Sequence, residues 1–333
     1  MANRPPPLDP NVFSINDLEK HGSQKLPKPY RDYYNEGSMD LITLRDNVSA
    51  YDRYKLWPRI LRNVSDVDTS GILMGQKTTF PLGISPSAMQ QLAHPDGELA
   101  TSRAAANVGV AMCLSSYSNT SLEEVKLQAN DNPYMMQMCV VRDRGITKQL
   151  LRRAELTGYK AIFMSVDVPV LGRRLNEFRN DFTLPAELAF PNILSTGHDE
   201  FTHTNGPQSY DDTLEWEEII PWLKENTTMQ IWLKGVLNPA DVELAIKHGV
   251  DGIIISNHGG RQLDHVPATL DALRECAPVA KGRIQIAVDG GIRRGSDIFK
   301  AIALGAQHCF VGRIAIWGLA VSAKCMCPHE RER

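Results

Sequence analysis

The sequence predicts an α/β fold, a TIM (β/α)8 barrel with a long lid-like insertion after its fourth strand. Three observations carry this. Short apolar runs recur eight times, each run stops at polar or glycine residues, and amphipathic stretches separate them. The runs lie near Pro81–Ser85, Val110–Ser115, Tyr134–Met138, Ala161–Val166, Ile231–Lys234, Gly252–Ser256, Ile284–Asp289 and His308–Val311. A doubly wound open sheet uses the same alternation, but no G-x-G-x-x-G turn follows the first run, which argues against its dinucleotide-binding form.

In chain order, residues 1–12 are proline-rich and polar and read as a disordered segment without the apolar core of a secretion signal. Asn16 to Glu36 reads as helical pieces carrying Tyr30, Tyr33 and Tyr34. Residues 13–320 form the barrel domain, with helices over Gly97–Asn107, Ile146–Thr157, Pro239–His248 and Gly295–Leu304 between the runs. Pro239 and Pro267 are expected in first helical turns, where proline is accepted. The connection from Val166 to Gln230 is abnormally long, and rich in Pro, Asn, Thr and His across Pro185–Asp212. It reads as a mobile lid, with a disordered insertion the equal alternative for Ser195–Gln208. Residues 321–333 form an atypical short tail.

The chain has 333 residues, a length that α/β barrels reach as one unit. Its 36 basic and 39 acidic residues give a formal charge of −3, which offers no general attraction to nucleic acid or an anionic membrane. No apolar stretch approaches the ~20 residues of a membrane span. The six cysteines are scattered and fit reduced thiols; Cys325 and Cys327 lack neighbouring ligands, so no metal site is expected.

Barrel chemistry gathers at the C-terminal strand ends. Here those ends carry Ser85 to Ala88, Ser115 to Tyr117, Gln137 to Cys139, Ser165 to Asp167, Lys234, Ser256 to His258, Asp289 to Gly291, and Gly312 with Arg313. Taken alone, His258 and Arg261 fit an ordinary strand-end turn. Within that ring they read as a base beside a fixed cation, suited to a carboxylate-bearing substrate. Gly290, Gly291, Arg293, Gly312 and Arg313 follow the last two strands, where this fold holds phosphate, although plain β-to-α turns have the same composition. Arg173-Arg174 is either a solvated face or, with Arg261, half of a carboxylate clamp. Asp167 is either a turn aspartate or the partner that orients His258.

Three motifs occur in order: L-G-R-R at Leu171–Arg174, S-N-H-G-G-R-Q at Ser256–Gln262 and D-G-G-I-R-R-G at Asp289–Gly295. With them the chain, from about Leu26 to about Leu319, resembles the FMN-dependent 2-hydroxy acid oxidase/dehydrogenase family, which includes glycolate oxidase, lactate oxidase and the flavin domain of flavocytochrome b2. The resemblance implies FMN as cofactor and oxidation of a small carboxylate substrate, with O2 as acceptor and H2O2 as product. It makes His258 the base, paired with Asp167, and places the substrate carboxylate on Arg174 and Arg261 with a hydroxyl contact from Tyr33. Lys234 faces flavin N1/O2. Ser87, Ala88, Ser115, Gln137, Ser165 and Ser256 line the ring system and ribityl chain, and Asp289, Gly291, Arg293, Gly312 and Arg313 hold the ribityl and phosphate end. It also implies a homo-oligomer in the cytoplasm or peroxisome.

The sequence departs from the family pattern at three places. Cys139 stands where members usually carry tyrosine, so a hydroxyl is missing from the substrate pocket. Tyr117 stands where many carry tryptophan, which implies a different acyl pocket. The chain stops where the family continues through a final barrel helix and a C-terminal helix, so a truncated final helix is expected, and Arg331-Glu332-Arg333 is not a peroxisomal tripeptide. Two other readings follow. The first is dehydrogenation of a different carboxylate-bearing substrate, an amine or ring compound in a biosynthetic pathway. The second is a shortened, non-catalytic chain.

Overall fold

The computed structural model describes residues 9–193 and 209–322. Eight parallel strands close into a barrel: β1 (Leu82–Ile84), β2 (Ala111–Ser115), β3 (Tyr134–Met138), β4 (Ala161–Ser165), β5 (Gln230–Val236), β6 (Gly252–Ile255), β7 (Gln285–Asp289) and β8 (His308–Val311). Each strand pairs with its sequence neighbours, and β8 returns to β1 with Val311 opposite Ile84. The expected runs are therefore the strands, shifted by a residue or two at their ends.

Side chains of a strand alternate between its faces, so one inward residue predicts the next two positions on. Cys113, Met135, Phe163, Trp232, Ile254, Ala287 and Phe310 form one buried cluster inside the barrel, joined by Leu73 and Met74 from the preceding hairpin Gly71–Leu73/Gln76–Thr78. Two residues further on stand Ser115, Gln137, Ser165, Lys234, Ser256, Asp289 and Gly312. Register aligns them across strands: Ser115 pairs with Gln137, and Ser165 with Lys234. An apolar floor thus supports a polar ring.

Outside the barrel, the helices expected from the sequence are Gly97–Val108, Arg144–Thr157, Pro239–Lys247 and Gly295–Ala303. The segment from Asn16 to Glu36 divides into Ile15–Lys25 and Lys28–Asn35. The first is capped by Ser14, whose hydroxyl accepts from Asp17 N at 3.2 Å. Pro239 occupies a first turn behind the cap Asn238, as expected. Pro267 does not: its helix is Thr269–Ala280 with Ala268 as cap, so the proline precedes the helix. The bond it cannot donate is not needed there, and its carbonyl instead accepts from Asn257 Nδ2 at 3.1 Å.

The long connection after β4 contains a short helix, Leu175–Arg179, and the barrel helix Trp216–Asn226. The expected lid or disordered stretch Ser195–Gln208, the first eight residues and the tail beyond Ser322 lie outside the described residues, as does the question of a shortened final helix after Arg313–Ser322. Among the described residues, no helix is long and apolar enough to cross a membrane.

Candidate active site

A cavity of about 790 Å³ opens at the C-terminal ends of the strands. Its centre is set by an unusual turn. His258, Gly259 and Gly260 all adopt positive φ, at 57°, 65° and 75°. For the two glycines this is unhindered; for histidine it is uncommon backbone, of the kind that gathers at functional sites. His258 N donates to Ser256 Oγ at 3.1 Å, which anchors the turn to β6.

His258 Nδ1 stands 3.2 Å and 3.3 Å from the two carboxylate oxygens of Asp167. Gly235 leaves the room for this: a Cβ there would lie 2.6 Å from the Asp167 side chain. Burial raises the Asp167 pKa, but His258 outweighs it and the carboxyl stays below its ordinary range. Burial lowers the His258 pKa more than Asp167 raises it, and Lys234 lowers it further. At neutral pH the pair is therefore a neutral imidazole and a carboxylate. Nδ1 donates to Asp167, which leaves Nε2 as the free proton acceptor.

Two guanidiniums share the cavity wall. Arg174 Nη1 meets Glu177 Oε1 at 3.1 Å, and Arg261 Nη2 meets the same oxygen at 3.5 Å. Arg261 also donates to the backbone oxygens of Tyr33 and Glu36, and lies 4.7 Å above the Tyr33 ring. That ring stacks on Phe182 with centroids 4.5 Å apart. Burial pushes the Arg261 pKa down to about 10, with Arg174 adding to the effect. One carboxylate between two partly buried cations leaves the pair short of negative charge.

Lys234 and Asp289 form a buried ion pair at 3.2 Å in the cavity wall. Burial lowers the ammonium pKa, but Asp289 and Asp167 outweigh it and hold the group charged. Lys234 Nζ donates to Ser256 Oγ at 2.9 Å, and Ser85 Oγ donates to Asp289 Oδ2 at 3.3 Å. Asp289 Oδ1 is buried and has no hydrogen-bond partner among the described residues.

At the other end, Arg313 donates to the carbonyls of Tyr34, Glu36 and Gly259 at 2.8–3.0 Å, and among the described residues no carboxylate forms an ion pair with it. Burial, with Arg261 and Arg293 nearby, pushes its pKa down to about 9. Arg293 stacks 5.0 Å over Trp317, with Glu19 3.9 Å away. Gly291 and Gly312 line the same end.

Most residues singled out from the sequence therefore meet at one cavity, among them Tyr33, Ser87, Ala88, Ser115, Tyr117, Gln137 and Cys139. Ser165 and Ser256, expected to line it, stand behind it: Gln137 Nε2 donates to Ser165 Oγ at 3.1 Å, and Ser256 braces Lys234 and His258. Asp167 is likewise behind His258. Sequence reasoning missed Glu177, whose only signal was an acid three residues after Arg174, on the same helical face. It also missed Tyr210, which sits within the long connection and packs against Tyr117 with centroids 6.2 Å apart.

Comparison with known proteins settles the family. The profile of the family described as FMN-dependent dehydrogenase matches residues 22–325. The chain belongs to the FMN-dependent dehydrogenase family. It is an FMN-dependent oxidoreductase of the 2-hydroxy acid oxidase type. Oxidase FUB9 of Fusarium oxysporum f. sp. lycopersici is 54% identical over 316 residues, 93% of this chain and 82% of the relative. 2-Hydroxyacid oxidase 1 of Homo sapiens is 45% identical, covering 93% of this chain and 86% of its own. The solved structure of mandelate oxidase with (S)-2-phenylpropionate superposes with a TM-score of 0.85 at 36% identity, over 93% of this chain and 87% of that one.

The residues present fit the family's cofactor. FMN carries a phosphate and a flavin ring that becomes anionic on reduction. The cavity meets these with Arg313, a half-buried cation held by three carbonyls, and with the buried ammonium of Lys234. Asp289 Oδ1, with no partner among the described residues, offers a further acceptor.

Proposed function

We propose that this chain oxidises a 2-hydroxy acid to the 2-oxo acid, with O2 reduced to H2O2. The carrying observation is the neutral His258, 3.2 Å from Asp167, sharing one cavity with Arg174 and Arg261. The two guanidiniums take the substrate carboxylate, displacing part of their hold on Glu177. Tyr33 adds a hydroxyl contact, and Tyr117 and Cys139 border the substituent on the α-carbon. His258 Nε2 accepts a proton from the substrate, and Asp167 stabilises the imidazolium that forms. FMN, when bound, would supply the two-electron acceptor, with oxygen as the final oxidant.

In the same reading, Lys234 would face the flavin's N1/O2 side, where a fixed ammonium favours negative charge. Ser87, Ala88, Ser115 and Gln137 would border the ring system and ribityl chain, with Ser165 and Ser256 supporting from behind. Asp289 and Gly291 would hold ribityl hydroxyls, and Arg293, Gly312 and Arg313 would hold the phosphate. A homo-oligomeric enzyme of the cytoplasm or peroxisome completes the reading.

The test is product balance. Aerobic incubation of the holoenzyme with lactate, mandelate and 2-hydroxyoctanoate should give one 2-oxo acid and one H2O2 for each O2 consumed. FMN-loaded protein that oxidises none of them contradicts the reading.

Cys139 favours a second reading, a different carboxylate-bearing substrate such as an amine or ring compound. Burial pushes its thiol up to about 12, so this position offers a neutral S–H where relatives offer a phenol. If Cys139→Tyr gains no turnover on short hydroxy acids, this second reading is favoured.

A further inference from the structure

Tyr210 reaches the active-site cavity from the long connection after β4, and its backbone fixes where it points. Arg142 N donates to Ser209 O at 2.9 Å and Asp211 N to Val140 O at 3.0 Å, so Tyr210 stands antiparallel to Val141 in a one-residue bridge. Ion pairs tie the flanks together: Arg142 meets Asp212 at 2.8 Å, and Arg144 meets Asp211 at 3.0 Å. Residues opposite each other on paired extended chains present their side chains to one face, and so do residues two apart. Tyr210 and Cys139 accordingly line the same cavity.

On this wall β3 brings only a thiol. Burial pushes the Cys139 thiol up to about 12, which leaves it a neutral and weak donor. Tyr210 brings a phenol from the other side of the bridge. Its ring meets Tyr117 edge-on, with centroids 6.2 Å apart and planes at 82°. Burial pushes the Tyr210 phenol up, and Cys139 adds to this, so the group stays protonated and able to donate. Arg174 and Tyr33 also act on it, whereas Tyr117 is acted on by Tyr210 and Cys139. Of the two phenols, Tyr210 is therefore the one turned toward the carboxylate clamp.

We propose, resting on the hydroxy acid reading above, that the Tyr210 hydroxyl donates a hydrogen bond to the oxygen on the substrate's α-carbon, a contact that the Cys139 thiol cannot give. The substrate carboxylate lies on Arg174 and Arg261, which leaves that oxygen for a donor on the Cys139 side. The phenol keeps its proton throughout, and His258 remains the base. The long connection is then part of the substrate pocket.

The experiment uses FMN-loaded enzyme and two readouts. The first is the Kd of 2-hydroxy-2-methylpropanoate and of 2-methylpropanoate, followed by the shift in flavin absorbance. The former has no α-hydrogen to lose and the latter no hydroxyl, and both offer the clamp a carboxylate. Their Kd ratio therefore isolates the α-hydroxyl. Wild type should bind the hydroxyl-bearing acid more tightly, and Tyr210→Phe should shrink that preference by about tenfold. The second readout is kcat/KM for the fastest of lactate, mandelate and 2-hydroxyoctanoate. Tyr210→Phe should lose about 10- to 100-fold, and Cys139→Tyr/Tyr210→Ala should regain at least about fivefold over Tyr210→Ala. A tyrosine that only packs would not be replaced from position 139. If the double variant does not hold flavin, the Kd ratio decides alone. Equal binding of the two acids by wild type, a wild-type ratio in Tyr210→Phe, or a flavin-loaded double variant that regains nothing overturns the contact while leaving hydroxy acid oxidation intact. Oxidation of no 2-hydroxy acid by FMN-loaded wild type overturns the hydroxy acid reading itself, and the contact with it.

Discussion

Lys234 Nζ meets Asp289 Oδ2 at 3.2 Å inside the barrel mouth, with the lysine 4% exposed and the aspartate 6%. The pair joins β5 to β7 across the ring of strand ends. Breaking it leaves a buried charge uncompensated, whereas removing both charges does not. Lys234→Met should therefore cost about 3–5 kcal/mol of folding stability, and Lys234→Met/Asp289→Leu should recover most of that loss. Equilibrium urea denaturation checks both. Flavin content should stay low in the double variant, because the pair is needed for binding as well as folding.

The base and its partner separate in kinetics. His258→Gln removes the proton acceptor and should slow substrate-driven flavin reduction by about 10²–10⁴-fold. Asp167→Asn leaves the imidazole in place and should slow it less. Rapid mixing without oxygen measures both. Equal losses would mean that Asp167 does more than orient and stabilise.

The pH profile carries a sign. The base works when neutral, and burial sets the His258 pKa below the usual histidine value. Thus kcat/KM should fall with falling pH through an apparent pKa below that of an ordinary histidine. Asp167 raises the His258 pKa, so Asp167→Asn should move this acid limb to still lower pH. An acid limb at or above the ordinary value would contradict the assignment.

Glu177 places a negative charge 3.1 Å from Arg174 and 3.5 Å from Arg261, where the proposed reading puts the substrate carboxylate. Glu177→Gln keeps an acceptor for the guanidiniums and removes the repulsion. A gain of about 1 kcal/mol, roughly fivefold in KM, is expected with little change in kcat. Steady-state kinetics at two salt concentrations checks this, and a raised KM would show that the charge positions the arginines.

The barrel was legible because its signals are local. Each apolar run stops abruptly at polar or glycine residues, so reading the strand ends was enough to gather Gln137, Lys234 and Asp289 in one ring. The pairing of Lys234 with Asp289 was not legible, since it depends on how far barrel closure carries β7 around to β5. Glu177 and Tyr210 were missed for another reason. Both belong to the long connection, where no periodic pattern says which side chains return to the cavity. Pro267 shows the limit of propensity: a proline near a helix start marks the neighbourhood and not the position.

The most direct test of the account is anaerobic mixing of the FMN-loaded protein with a 2-hydroxy acid, followed by the visible flavin absorbance. The account predicts bleaching in the wild type, return of the colour on admitting air with H2O2 formed, and bleaching slowed by about 10²–10⁴-fold in His258→Gln. Stoichiometric flavin that no 2-hydroxy acid bleaches, or bleaching that His258→Gln leaves at the wild-type rate, would contradict it.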